Sequence, residues 1–209
     1  MATGVGWVER SETHHRSETH HRSETHHRSE THHPRDDLPN MTAYRRCRLP
    51  GGTFFFTLNL ADRRKALLTE NIDGLRGAFR EVLTAHPFEI RAIVVLPEHI
   101  HCLWELPPGD SDYSTRWRQI KSAFSRTLPP GEQISASRAR KGERGIWQRR
   151  FWEHTIRNDE GFAIRFDYIH YNPVKHGYVK EVKDWPFSSF HRYVRLGVYP
   201  VDGAGEGVR

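Results

Sequence analysis

Cysteine is nearly absent from this chain, with only Cys47 and Cys102 in 209 residues. Two thiols on separate segments cannot build a disulfide framework, which excludes the small stapled secreted folds and fits a reducing compartment; a cytoplasmic location is expected. Long apolar runs are missing too, and no stretch approaches the ~18 residues that crossing a bilayer requires, so no membrane partner is expected. The first residues have no apolar core of secretory-signal type, and the acidic residues that follow argue against an organelle transit peptide.

Aliphatic and aromatic residues are wholly missing from residues 10–33, which are four copies of Arg-Ser-Glu-Thr-His-His and supply eight of the fifteen histidines. With no apolar surface to bury, nothing there offsets the entropy of ordering, so residues 1–40 read as a disordered tail. A histidine-rich tract invites a metal-handling function, but perfect hexapeptide repetition points to expansion of a short DNA repeat. Met41 opens a segment of ordinary globular composition, and 41–209 is expected to be the working domain.

Acidic charge is also scarce in that domain. Residues 1–40 hold five Arg against seven Asp or Glu, a net of −2, so the whole-chain value of +6 leaves +8 on residues 41–209. A surplus of that size favours a polyanionic partner.

From Met41 onward the pattern is strand, helix, strand, strand, helix, strand, helix. Thr53 to Leu60 is aromatic and β-rich, a strand covered on both faces. Leu67 to Ala85 has apolar residues at helical spacing and is ended by Pro87. Phe88 to Leu96 and His99 to Leu106 read as a hairpin turning at Leu96-Pro97-Glu98. A helix follows Asp112, capped by Ser114 or Thr115, with Trp117, Ile120, Lys121 and Phe124 as its seam. Residues 129–145 form a flexible basic loop, either a DNA-contacting flap or a solvated insertion. Ile146 to His154 supplies the last strand and the turn after it, and Asp159 caps a final helix that Pro173 ends near Tyr171. This order is an α+β, ferredoxin-like split βαβ plan with an antiparallel sheet and helices on one face. Trp117, Trp147 and Trp152 are read as core residues rather than base-stacking platforms.

Within the second strand of the hairpin, His99 and His101 share one face because successive side chains of a strand alternate, which makes a two-point clamp for a metal ion. Two unrelated histidines on a half-buried strand would look the same. In the last helix Phe162, Phe166 and Ile169 form the buried stripe. At 100° per residue, Tyr168 and Asn172 lie about 40° apart on its flank, a phenol and an amide side by side on a rigid rod.

Three separated segments carry a resemblance: Pro97-Glu98-His99-Ile100-His101, the run from Trp147 to His154, and Tyr168-Ile169-His170-Tyr171-Asn172-Pro173-Val174-Lys175-His176-Gly177. In this order they resemble the Y1 transposases of the IS200/IS605 type and, more narrowly, the REP-associated tyrosine transposases; the similarity runs from Tyr44 to about Pro200. The resemblance implies a HUH endonuclease that acts on single-stranded or hairpin DNA of REP type. His99 and His101 would bind Mg²⁺ or Mn²⁺, Tyr168 would be the nucleophile that forms a 5′-phosphotyrosine, and Asn172 would stand where relatives place a third polar ligand. Many IS200-type enzymes carry Gln at that position, so the shorter amide changes the reach of the oxygen donor. The extragenic-palindrome relatives are expected to act as monomers.

Around that core, Arg45, Arg46, Arg149, Arg150, Lys175 and His176 are expected to bind DNA phosphates. Glu98 and His154 are candidates for supporting the site, although each also reads as a turn residue or a surface group. Tyr171 is the rival nucleophile. A catalytically silent ferredoxin-like module that binds structured nucleic acid is the alternative reading.

Overall fold

The computed structural model describes residues 46–132 and 134–200. The readings for the 1–40 tail, Met41 and Arg45 lie outside the described residues. Four strands form one antiparallel sheet in the order β2-β3-β1-β4: β1 (Thr53–Asn59), β2 (Glu89–Val95), β3 (His99–Glu105) and β4 (Trp152–Ile156). The β1-to-β2 crossover passes over β3, which is the split βαβ arrangement expected from the element order.

Alternation along β1 and β3 divides their side chains between two apolar layers. Phe54, Phe56 and Leu58 of β1, with Ile100, Cys102 and Trp104 of β3, enter the larger core. Helices α2 (Ile72–Ala85) and α3 (Tyr113–Thr127) cover that face. They contribute Leu75, Ala78, Phe79 and Val82, and Tyr113, Trp117, Ile120 and Phe124, each set at helical spacing. The Trp104 and Trp117 rings stack at 4.0 Å, and Phe56 meets Trp117 edge-on at 5.5 Å. Such aromatic pairs add about 0.5–1.5 kcal/mol each beyond the area they bury.

Phe55 and Leu103 point the other way, into a smaller layer with Ala92, Val94, Leu96 and Ile169. Helix α5 (Asp159–Lys175) closes this layer. The expectation of helices on one face is therefore corrected. β3 is buried on both sides from His99 to Trp104, and a sheet apolar on both faces needs a helix layer on each.

Several boundaries also differ from the sequence reading. The first helix breaks at Asn71 into α1 (Leu67–Glu70) and α2, because the Asn71 side chain donates to the Leu67 carbonyl and competes with helix propagation. Asp112, not Ser114 or Thr115, caps α3 by accepting from the Thr115 amide at 3.0 Å. Asn158 rather than Asp159 caps α5, accepting from the Gly161 amide at 2.8 Å. Pro173 does not end that helix. The last turn is closed by a Schellman pair, Gly177 N to Val174 O at 2.9 Å and Tyr178 N to Pro173 O at 3.0 Å, with Gly177 at φ 72°. That closure keeps Asn172 and Lys175 on the rigid rod.

The segment 129–145, expected to be a flexible loop, contains one helical turn, α4 (Ala136–Ala139). Arg144 anchors it by donating to the carbonyls of Ser125, Leu128 and Pro129 and pairing with Glu132. Arg138 turns inward onto the Trp147 carbonyl at 3.1 Å, while Arg140 and Lys141 stay exposed. The strand expected at Ile146 begins only at Trp152; before it, Trp147 makes an isolated bridge to Leu60.

Past α5, residues 187–189 pair with the outer edge of β2 through Val95 N to Phe187 O and Ser189 N to Ile93 O, both 2.8 Å. The edge is thereby covered rather than left as a template for aggregation. A short helix, α6 (Phe190–Arg195), follows.

Candidate active site

The site grows from strand alternation. His99 and His101 project from β3 into the space below α5, with ring centroids 4.8 Å apart and each ring buried. β1 lies beside them in register, Asn59 opposite His99 and Thr57 opposite His101. Each Nδ1 has a partner. Glu98 Oε1 lies 2.9 Å from His99 Nδ1, and Thr57 Oγ1 lies 2.8 Å from His101 Nδ1. A carboxylate can only accept from an imidazole, so His99 carries its proton on Nδ1 and offers the Nε2 lone pair.

Glu98 is itself held by Arg63 at 3.3 Å and by the Tyr178 hydroxyl, which donates to its other oxygen at 3.3 Å. Burial pulls the Glu98 carboxyl up, but His99 and Arg63 outweigh it and hold it below the usual range. Burial lowers the His99 pKa despite Glu98. Burial lowers that of His101 further, helped by His99, His176, Lys175 and Arg165. Both rings are neutral at neutral pH, the form that ligates metals.

Helix α5 and its C-cap present Tyr168, Asn172 and His176 in one row, spaced i, i+4, i+8. The Tyr168 ring stands edge-on to His101 at 5.3 Å, and the His176 ring stands edge-on to His99 at 5.5 Å. Asn172 lies midway between those two rings along the chain. It is fully buried, and neither its Oδ1 nor its Nδ2 has a hydrogen-bond partner among the described residues. An amide buried without partners costs about 1–3 kcal/mol, so its retention calls for a ligand-binding explanation. Among the described residues no cluster of three His, Cys, Asp or Glu could hold a metal. Two imidazoles with one amide oxygen are a donor set that would suit Mg²⁺ or Mn²⁺.

Lys175 places its Nζ 5.0 Å from the Tyr168 ring centroid, and His176 is exposed at the end of the row. Tyr171 is 36% exposed. Of the other expected DNA contacts, Arg46 lies exposed in an irregular segment and Arg150 is exposed before β4. Arg149 is committed to Glu143 at 2.8 Å and to Ser137 at 3.1 Å. His154 stands on β4, exposed and parallel to Trp152, with β1 between it and the strand of His99 and His101. Thr57 was not singled out in the sequence, and only the strand register reveals it. Glu98 had a signal in its adjacency to His99.

Behind α5, His170 is buried between the Ser189 hydroxyl at 2.8 Å and the Tyr199 hydroxyl at 3.2 Å. Burial pushes its pKa from 6.5 down to about 3. Above pH 6.5 the folded and unfolded states are both neutral at this ring. Below it only the unfolded state gains the proton, so stability falls as pH drops from 6.5 toward 3. His99 and His101 act in the same direction. The unfolding free energy from urea titration is expected to fall by up to ~1.4 kcal/mol per pH unit for each such histidine between about pH 7 and pH 5, with the midpoint falling alongside it. A midpoint that stays flat or rises over that range would contradict the assignment.

Comparison with known proteins agrees with this geometry. The family described as "Transposase IS200 like" matches residues 55–172, a span that holds His99, His101, Tyr168 and Asn172. The chain is 52% identical over 166 residues to the REP-associated tyrosine transposase of Escherichia coli K12, covering 79% of this chain and 93% of that one. It is 50% identical to a putative REP-associated tyrosine transposase of Haemophilus influenzae, covering 79% of this chain and 94% of that one. A solved REP-associated tyrosine transposase bound to a REP hairpin superposes with a TM-score of 0.70 at 51% identity, covering 81% of this chain and 94% of that one.

Proposed function

The chain belongs to the IS200-like Y1 transposase family, and on that premise we propose that it cuts and rejoins single-stranded DNA beside a REP-type hairpin. Tyr168 is the nucleophile, and His99, His101 and Asn172 hold one Mg²⁺ or Mn²⁺. The observation that carries this reading is the row of Tyr168, Asn172 and His176 on α5 and its C-cap, a row whose ends touch His101 and His99 and whose middle is a buried amide without partners.

Phosphodiesters resist attack because their anionic oxygens repel a nucleophile. A divalent cation bound there supplies charge neutralisation and polarisation of the scissile phosphate. The chain's own residues supply the rest. Packing on Phe55 at 6.0 Å and on His101 holds the Tyr168 ring in one orientation, so its oxygen attacks without first being ordered. The Lys175 ammonium, 5.0 Å from that ring, is placed to hold a phosphate oxygen beside the attacking hydroxyl. Thr57 and Glu98 fix the two imidazoles by their Nδ1 atoms and so would leave the Nε2 atoms to hold a cation.

In the reaction the Tyr168 Oη–P bond forms as the bond from phosphorus to the 3′ oxygen breaks, leaving a 5′-phosphotyrosine and a 3′-OH that takes up the phenol's proton. The phosphodiester energy is kept in the tyrosyl ester, so a second 3′-OH can displace Tyr168 and join strands without ATP. The hairpin partner is supported by the relative seen bound to a REP hairpin. Both halves of the site come from one chain, which supports a monomer. No helix among the described residues is long and apolar enough to cross a membrane, consistent with action on DNA in the cytoplasm.

The test is a covalent-adduct assay. A labelled stem-loop oligonucleotide with unpaired flanks, incubated with the protein and Mg²⁺ or Mn²⁺, is expected to yield a protein–DNA species that survives a denaturing gel. A chain beginning at Met41 is expected to yield the same species, since every proposed site residue lies after it in the sequence. Stem-loop binding with no such species at any divalent cation would make the chain a binding module instead.

A further inference from the structure

The sheet face that carries His101 continues outward to the edge strand. On β4, Trp152 lies opposite Thr57 and His154 opposite Phe55, with buried Glu153 between them pointing to the other face. The Trp152 and His154 rings are parallel to within 8°, with centroids 5.8 Å apart. Trp152 is 45% exposed, whereas Trp117 and Trp147 are in the core, so its reading as a core residue is corrected. Phe55 links this pair to the site, edge-on to Trp152 at 5.7 Å and to Tyr168 at 6.0 Å. Arg165, three residues before Tyr168 on α5, sets its guanidinium 5.3 Å from the Phe55 ring and 5.8 Å from the Trp152 ring.

An unbroken aromatic row thus runs from Tyr168 over Phe55 to two exposed parallel rings, with a cation beside it. The core does not need the outer two rings, and an exposed indole is a poor surface residue unless something covers it. The neighbouring charge and the flat, prealigned rings fit a nucleotide: aromatic faces stack on any base, and Arg165 is placed to meet its phosphate. Partial burial, with Arg165 and Arg157, lowers the His154 pKa, so it offers a neutral ring.

We propose that Trp152 and His154 form a stacking platform for an unpaired base next to the phosphate that Tyr168 attacks, with Arg165 beside that nucleotide's phosphate. A base inside a duplex is already stacked on both sides, so this platform accepts only the single-stranded flank and discriminates it from the hairpin stem. The location of the scissile phosphate rests on the function proposed above; the stacking itself does not.

The experiment measures binding by fluorescence anisotropy for a stem-loop oligonucleotide with short unpaired flanks and for the same stem-loop with blunt ends. The titrations omit divalent cation, so they need no cleavage. The flanks are expected to tighten binding by the parent chain. Trp152→Ala is expected to remove roughly tenfold or more of that gain while leaving blunt stem-loop binding unchanged. Trp152→Phe is expected to retain most of it, and His154→Ala to lose part. In the parent, 2-aminopurine in the flank is expected to be quenched, and Trp152→Ala to relieve that quenching. Equal losses for flanked and blunt DNA, or a flank gain that survives Trp152→Ala, would overturn the platform. Absence of a covalent adduct would overturn the cleavage reading without touching this result.

Discussion

Tyr168→Phe is expected to bind stem-loop DNA as the parent does while the covalent protein–DNA species disappears, a loss of ~10⁴-fold or more in strand cleavage. The change removes one oxygen and keeps the ring. The ring is what packs on Phe55 and His101 and lies near Lys175, so fold and DNA affinity have no reason to change. The lost oxygen is the only atom proposed to bond to phosphorus, and water has no equivalent placement. The measurement pairs a denaturing-gel adduct assay with a binding titration on the same oligonucleotide. An adduct persisting in Tyr168→Phe would transfer the role to another residue, with Tyr171 first in line.

The second large effect concerns the cation ligands, where stability and activity are expected to move in opposite directions at one residue. Asn172→Leu replaces a buried amide lacking hydrogen-bond partners with an apolar side chain of similar size. Removing unpaired buried polar atoms is expected to raise the cation-free stability by about 1–3 kcal/mol. The same change removes an oxygen ligand and is expected to abolish Mn²⁺-dependent stabilisation and reduce cleavage ~10²-fold or more. Thermal melts with and without Mn²⁺, alongside the cleavage assay, read both effects. His99→Ala and His101→Ala are expected to lose cation-dependent cleavage as well, but without any gain in stability. His99→Ala also leaves Glu98 without its closest partner, and an ionised group stripped of its partner in a buried place is costly. Asn172→Leu that cleaves normally, or that melts below the parent without cation, would remove Asn172 from the ligand set.

The opposing signs say why such a residue is worth carrying. A site that must bind a hard cation keeps polar atoms ready for it, and before the cation arrives those atoms are unpaired. The same logic extends to β4, where an exposed indole is retained at a position that a polar residue would fill more cheaply in a protein without a nucleic-acid partner.

Much of this arrangement was readable from local pattern. His99 and His101 share a face because β3 alternates, and Tyr168 and Asn172 share a flank because α5 turns by 100° per residue. The strand, helix, strand, strand, helix, strand order foretold the split βαβ sheet. Each depends on residues close in the chain, whose relative directions the backbone fixes by itself. Local pattern failed where a tertiary contact overruled it. Pro173 reads as a helix end, yet the Schellman closure at Gly177 and burial of Asn172 and Pro173 carry the helix one turn further.

What stands opposite the histidines was decided by tertiary structure alone. Thr57 reaches His101 across 44 residues of sequence and Tyr178 reaches Glu98 across 80; such pairings follow from strand register and helix docking, which no short window of sequence encodes. The same holds for Trp152. Its aromatic type fits core and surface equally, and only its place on an edge strand, outside the helix layers, leaves it facing solvent beside the row that leads to Tyr168.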